Sequence, residues 1–425
     1  MVKTILLFGA GKSATVLISY LIAEAAVNKW LIIIADANEE QIIAKTNRSP
    51  LTKAVQTDIT NDAQRAALVK EADIVISMMP PALHFLVAKD CLEYGKNLLT
   101  ASYLDDAIKS LQTTVKNKNL FFLCEMGLDP GIDHMSAMKI IDGIRVKGGS
   151  VTSFKSHCGG LVAPESDDNP WHYKISWNPR NVVNAGKAGA EYLLNGKTQH
   201  LDYKALFRNC TEVNIEGLGA LAIYPNRDSL SYLSLYQLEG AVDFLRTTLR
   251  YPSFCLGWDA IVQAGLSNDT ATLDTKELTF AAWSAAVVPF VNDGNKLMLG
   301  FLGLFDNLPV PATATTSADI LQYLLETKLA MKPFDKDMIV MLHEITYQQS
   351  GTLFKIESSL IVMGKDHLNT AMATTVGLPL GIAAKLILNG TIQLTGIHIP
   401  TIKEIYEPVL MELEKAGIRF TERII

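Results

Sequence analysis

The chain of 425 residues has only five cysteines, no internal repeat and no low-complexity tract. Cys91, Cys124, Cys158, Cys210 and Cys255 are odd in number and never fall at C-x-x-C spacing. A disulfide framework is therefore not expected, and buried thiols in a reducing cytoplasm fit better. Positive charge is also short, since 38 Lys and Arg face 44 Asp and Glu for a net charge of −6. No nucleic-acid partner is expected of such a chain, because that surface normally carries a basic stripe. The marks of disorder are missing too: the chain is 48% hydrophobic and 19% charged, ordinary for a globular protein. The longest apolar stretch, "NTAMATTVGLPLGIAAKLILNG", is broken by threonines, Pro379 and Lys385. It reads as a buried helical region, with no membrane span expected. The apolar run of "MVKTILLFGAGK" is too short for a signal-peptide core. A soluble, cytoplasmic protein is the expectation.

What is present is length and rhythm. A chain this long exceeds what one hydrophobic core usually supports, so two or three domains are expected. "TILLFG" and "WLIIIAD" are continuous apolar runs of strand length, with the helical spacing of "SATVLISYLIAEAA" between them. Further strands are expected in "ADIVISMMP", "GKNLLTAS" and "NLFFLCEMG". Strand and helix alternating in this way predict an α/β fold with a doubly wound, Rossmann-type sheet over 1–129. The late helical stretch and "PTIKEIYEPVLMELEKAG" are expected to complete that domain from 369–425. Short alternating strands such as "TEVNIEGLGALAIYP" predict a mixed-sheet α/β domain over 130–252 and 336–368, with a mostly helical subdomain at 253–335. Within it "RTTLRYP" reads as the end of a helix-like segment carrying Arg246 and Arg250.

The strongest local motif is "LLFGAGKSA". Gly9 permits a tight turn, Gly11 lets a pyrophosphate approach the backbone, and Ala14 allows close helix–strand packing. The helix that follows offers unpaired N–H groups to phosphates. Asp36 ends the second strand, where an acid meets the adenosine ribose hydroxyls. It would repel a 2′-phosphate and no arginine follows it, so NAD is favoured over NADP. Asp58, near the end of the third strand, suits an adenine contact or a turn cap equally well.

Other polar groups are candidates for a substrate. Tyr103 follows the fifth strand, at the carboxyl edge where open α/β sheets bind ligands. Arg227 in "YPNRDS" and Arg250 in "TLRY" are the bidentate type of carboxylate clamp. "HCGGLVAPESDDNPWHYKISW" gathers His157, Cys158, Glu165, Asp168, His172 and Trp177 without zinc spacing, so no metal is expected. In "GLDPGIDH", Pro130-Gly131 make a turn, Asp133 suits a helix cap and His134 a packed position. Asp129 remains as the candidate site carboxylate.

Together "GLDPGIDH", "HCGGLVAPESDDNPWHYKISW", "YPNRDS" and "TLRY" resemble the glutamate-forming saccharopine dehydrogenases. The resemblance runs from the first strand to the terminal helices and is weakest in the helical part. It implies interconversion of saccharopine with glutamate and aminoadipate semialdehyde through NAD or NADP, in a homodimer. For the cofactor it implies Ala10, Gly11, Lys12 and Ser13, then Asp36, Asp58, Ile59 and the Met78-Met79 turn, with Ser176 or Trp177 from the second domain. For saccharopine it implies Ser102, Tyr103, Asp129, Arg227, Thr248, Leu249 and Arg250. Asp129 is the first candidate base, followed by Tyr103, Cys158 and His134. Two other readings stay open at this point. One is a reductive-amination enzyme acting on carboxynorspermidine or homospermidine, which would call for more acids and fewer arginines. The other is a non-catalytic dinucleotide sensor, which has no use for clustered arginines.

Overall fold

A computed structural model of the chain describes residues 2–425. It divides into two compact units, with strands numbered here along the chain. The first comprises residues up to Gly143 together with Met372–Arg419. Its strands are β1 (Thr4–Phe8), β2 (Leu31–Asp36), β3 (Thr52–Gln56), β4 (Ile74–Ser77), β5 (Asn97–Thr100), β6 (Phe121–Leu123) and β16 (Gly396–His398). They form one parallel sheet in the order β16-β6-β5-β4-β1-β2-β3. The order reverses at β1, which sends the chain first toward β2 and β3 and later to β4, β5 and β6. Ile5, Leu6, Leu7, Ile32 and Ile34 are completely buried, because helices cover both faces of such a sheet. Each such side chain contributes roughly 1.5–3 kcal/mol of transfer free energy.

The apolar helix Ala371–Leu388 is long and apolar enough to cross a membrane, and 72% of it is buried inside the protein. Its partner within the first unit is the helix Thr15–Asn28. A Cβ on Gly377 would lie 3.0 Å from the Leu17 backbone nitrogen, and one on Gly381 would lie 2.5 Å from the Tyr20 ring. Two bare positions one turn apart let the helix axes come close. Lys385 interrupts the apolar run and ends in ion pairs with Glu24 (3.3 Å) and Glu412 (2.6 Å).

The second unit comprises Ile144–Ala371 and Phe420–Ile425. Its main path of strands is β10 (Thr211–Ile215), β11 (Gly219–Pro225), β13 (Asp243–Arg250), β7 (Ser150–Val162), β14 (Asp337–Gln349), β15 (Thr352–Met363) and β17 (Thr421–Ile424). The short β8 (Ala190–Leu194), β9 (Lys197–Leu201) and β12 (Arg227–Asp228) join beside it. β13 runs parallel to β7, whereas β14 and β15 form a long antiparallel hairpin. Helices Pro252–Gln263, Lys296–Leu302 and Ser317–Lys328 gather around Trp171, Phe254 and Trp258.

Three features differ from the sequence expectations. Arg246 and Arg250 lie on strand β13, not at a helix end. The β-branched Thr247-Thr248 pair suits a pleated surface, and an eight-residue segment is too short for its periodicity to separate helix from strand. The break between units falls after Gly143, not at 129/130. The helix Ile132–Val146 runs through that border, and Tyr406 donates to Asp142 at 2.8 Å, which ties the helix into the first unit. Finally, residues 420–425 belong to the second unit, because β17 pairs with β15.

Candidate active site

In the first unit the phosphate turn has the geometry its sequence demands. Gly9 adopts φ +98°, and a Cβ there would stand 2.9 Å from the Met78 carbonyl oxygen. A Cβ on Gly11 would meet nothing within 4 Å, so open space lies over that backbone. Ala14 is buried, and one 3-10 turn (Lys12–Ala14) separates the glycines from the helix Thr15–Asn28. Lys12 is exposed and Ser13 half-buried.

Asp36 closes this turn as well as ending β2. One carboxylate oxygen accepts the Ala10 N–H (2.7 Å) and the other accepts the Asn38 N–H (3.0 Å). Asp36, Asp58, Ile59 and Met79 line one cleft, together with Phe8 and Thr57. Asp58 is also a turn cap: it accepts from the Thr60 N–H and hydroxyl, which hold its carboxyl below the usual carboxylate range. Met78 is half-buried, and its N–H donates to Phe8. Sequence reasoning missed Lys45. Its ammonium donates to the carbonyls of Ala10 and Gly11, and burial pushes its pKa down to about 8 against the pull of Asp36. No motif marks a lysine in the last turn of the short helix Glu39–Thr46.

The carboxyl edges of β4, β5 and β6 carry the remaining candidates of this unit. The Tyr103 hydroxyl donates to Asp129 at 3.4 Å, which joins the two proposed substrate contacts. Asp129 sits in a tight turn: the Gly127 N–H donates to Pro130, and the Ile132 N–H donates to Gly127. Gly131 has φ +146°, and a Cβ there would lie 2.1 Å from the Gly127 oxygen. Asp133 accepts the Gly131 N–H at 2.6 Å and so braces the turn. His134 is fully buried, 2.9 Å from Glu125, whose other oxygen accepts the Leu104 N–H. Glu125 thus links the Ser102-Tyr103 loop to the turn bearing Asp129; no sequence motif marks it. His84 was missed as well. Its ring lies 2.8 Å from the Ser77 hydroxyl and 2.7 Å from that of Ser102.

In the second unit Thr248 is half-buried, Leu249 and Arg250 are buried, and all three lie on β13. β7 passes so close that a Cβ on Gly159 would stand 2.4 Å from the Leu249 oxygen. The Arg250 guanidinium lies 5.4 Å from the ring centroids of both Tyr173 and Phe254. One of its terminal nitrogens donates to the Leu249 carbonyl, and its Nε has no partner among the described residues. No carboxylate of the described residues stands within ion-pair distance of it. Arg227 is exposed in β12 with φ +53°. The proline-bearing segment "ESDDNPWHYKISW" is drawn inward. Trp171, Tyr173, Lys174 and Ser176 are all buried, Trp171 donates to Met298 at 2.7 Å, and Lys174 is clamped by Asp168 (2.8 Å) and Asp335 (2.6 Å).

A parallel sheet with a glycine turn, open backbone above it and a ribose-type acid beside it defines a dinucleotide-binding protein. Comparison with known proteins narrows the class. Residues 5–123 match the model of the saccharopine dehydrogenase NADP binding domain, and residues 127–418 that of the saccharopine dehydrogenase C-terminal domain. The chain is 32% identical to a saccharopine dehydrogenase (NADP(+), L-glutamate-forming) of Saccharomyces cerevisiae, covering 100% of both chains. It is 34% identical to an α-aminoadipic semialdehyde synthase of Arabidopsis thaliana over 87% of this chain and 38% of that one. The chain spans less than half the length of such synthases. The structure of the apo, histidine-tagged saccharopine dehydrogenase (L-Glu forming) from S. cerevisiae superposes with a TM-score of 0.89 at 31% identity, covering 100% of both chains. The chain belongs to the saccharopine dehydrogenase family.

Proposed function

We propose that this protein interconverts saccharopine with L-glutamate and L-2-aminoadipate 6-semialdehyde, as an oxidoreductase acting on a C–N bond with a nicotinamide cofactor. The observation that carries the reading is Arg250. A buried guanidinium without a carboxylate is costly to keep, and saccharopine brings three carboxylates. The aromatic rings around it leave the cation attractive to an incoming anion while excluding water. A dicationic polyamine precursor would instead set like charge against it.

A bound nicotinamide would supply the hydride acceptor, and loss of hydride from the ε-carbon of the lysyl portion would turn the C–N single bond into an imine. Water adds to that carbon, and the carbinolamine C–N bond then breaks to give the amine of glutamate and the aldehyde. Asp129 takes the proton that the secondary ammonium gives up, with the Tyr103 hydroxyl fixing the carboxylate's direction. Ser102 and Thr248 supply neutral hydrogen bonds, and Arg227 and Arg250 hold carboxylates. Holding the ε-carbon at hydride distance contributes much of the acceleration.

NAD is the cofactor that Asp36 supports, because its carboxylate stands where a 2′-phosphate would crowd it and no arginine lines that cleft. NADP is supported by the printed names of the family model and of the yeast relative. One assay tests both levels: reduced-cofactor formation from saccharopine, with NAD and NADP in parallel. No turnover with either cofactor, in folded protein that still binds one of them, overturns the proposed reaction. A higher kcat/KM with NADP overturns the cofactor preference alone.

A further inference from the structure

His84 is given no role by the proposed reaction, yet it sits against the neighbouring carboxyl ends of β4 and β5. It opens the helix His84–Tyr94 and is 2% exposed. β4 and β5 run parallel with Ser77 opposite Thr100, so two hydroxyl residues end these strands side by side. The imidazole sits on top of them. Nδ1 is 2.8 Å from the Ser77 Oγ, Nε2 is 2.7 Å from the Ser102 Oγ, and the Thr100 hydroxyl lies 3.4 and 3.3 Å from the two nitrogens. Ser77 precedes the Met78-Met79 turn assigned to the cofactor; Ser102 precedes Tyr103 and belongs to the proposed substrate contacts. The Ser102 main chain is held too: its N–H donates to Thr100 (3.2 Å), and its carbonyl accepts the Glu125 N–H (3.0 Å).

An imidazole in such a place is kept neutral by burial, its pKa pushed down to about 4 against the pull of Asp105. A neutral ring has one N–H and one bare nitrogen. It therefore donates to one serine hydroxyl and accepts from the other. When Nε2 carries the proton, the Ser102 oxygen accepts it and its own O–H is free to donate outward. When Nδ1 carries the proton, Ser102 must donate to the ring and presents lone pairs outward. Ser77 is fully buried, so the ring sets the outcome at Ser102.

We propose that His84 is a positioning residue that fixes the direction of the Ser102 hydroxyl toward substrate through the Ser77–His84–Ser102 relay. The proposal rests on the reading that Ser102 contacts saccharopine. It predicts a specific ranking of variants, because glutamine places its amide nitrogen where Nε2 stands and asparagine places its amide where Nδ1 stands.

The test is steady-state kinetics of the full chain for wild type, H84Q, H84N, H84F, S102A and the double variant H84F/S102A. Binding of the reduced cofactor is followed by fluorescence as a check on folding. H84Q, which keeps a partner for Ser102, should stay within about twofold of wild type in kcat/KM for saccharopine. H84N and H84F should lose roughly fivefold to tenfold, the range of one neutral hydrogen bond, with cofactor affinity unchanged. S102A should lose the same amount, and the double variant no more than S102A. Equal losses in H84Q and H84N, multiplying losses in the double variant, or a loss of cofactor binding in step with activity would each overturn the relay. If H84F does not fold, the H84Q and H84N pair decides alone. Absence of wild-type turnover overturns the proposed function and the relay together, whereas full turnover in every His84 variant overturns only the relay.

Discussion

At the scale of single residues, the consequence of an unpaired buried cation is a variant that trades function against stability. Arg250 has no carboxylate of its own among the described residues, so replacing it with a methionine of similar length removes a desolvated charge without orphaning a counter-ion. Arg250→Met should therefore keep or raise the melting temperature while lowering kcat/KM for saccharopine by roughly tenfold to hundredfold, the range of a charge-assisted contact. A drop in melting temperature with unchanged kinetics would show that the guanidinium serves the fold and not the substrate. Asp36→Ala is the companion test at the cofactor. Loss of the carboxylate should relax the discrimination between NAD and NADP, read as the ratio of the two kcat/KM values, and an unchanged ratio would mean that Asp36 serves only the Ala10 and Asn38 N–H groups. Residues of this kind differ in how legible they are. Gly9, Gly11 and Asp36 are visible in the sequence because the turn that needs them is local and its spacing fixed. His84 is a lone histidine among prolines and aliphatics, and only the parallel register of β4 and β5 shows what it touches.

At the scale of elements, the turn that carries Asp129 depends on the absence of a side chain at Gly131. A Cβ there would need to pass within 2.1 Å of the Gly127 oxygen, in a backbone region that L residues avoid. Gly131→Ala should cost about 1–3 kcal/mol of stability for the strained backbone, seen as a lowered melting temperature, and should reduce turnover more than cofactor binding. A variant with wild-type melting and turnover would mean that the turn relaxes freely and does not aim the carboxylate. The elements themselves differ in how legible they are, for physical reasons. β1, β2 and β4 are apolar on both faces and short, a pattern that a parallel sheet produces and little else does. β13 escaped because "DFLRTTLR" mixes two buried arginines with threonines and carries no clean period. The segment around "NPWHYKISW" reads as a polar, proline-bearing loop by composition. Trp171 and Lys174 are buried all the same, one by packing against Phe254 and Trp258 and the other by two carboxylates, contacts that come, Asp168 apart, from residues far along the chain.

At the scale of the whole molecule, the chain leaves the first unit after Gly143 and returns to it at Met372, and each unit holds an ionisable group, buried in the first and half-buried in the second, that couples folding to pH. In the first, burial lowers His84 from 6.5 to about 4. In the second, hydrogen bonding from His157 (3.1 Å), assisted by Lys355 (2.6 Å), lowers Glu344 from 4.5 to about 2. Both folded values lie below the unfolded ones, so in both cases the unfolded chain binds the proton first and acid works against folding. The contribution of His84 is complete above pH 6.5 and is lost as pH falls toward 4; that of Glu344 is complete above 4.5 and is lost toward 2. The two units should thus soften at different pH, the first unit first. Calorimetric melting measured from pH 8 down to about pH 3 should show a loss of stability that begins below about 6.5, then steepens below about 4.5. His84→Gln removes the titrating ring and should flatten the upper limb only, while Glu344→Gln should lower stability at neutral pH and make the lower limb shallower, the remainder belonging to Asp168 and Asp319, whose carboxyls are also held low. A His84→Gln protein that keeps the full decline between pH 6.5 and 4.5 would place its origin in another group, and so would a Glu344→Gln protein that keeps the lower one. Acid sensitivity would then report neither unit separately.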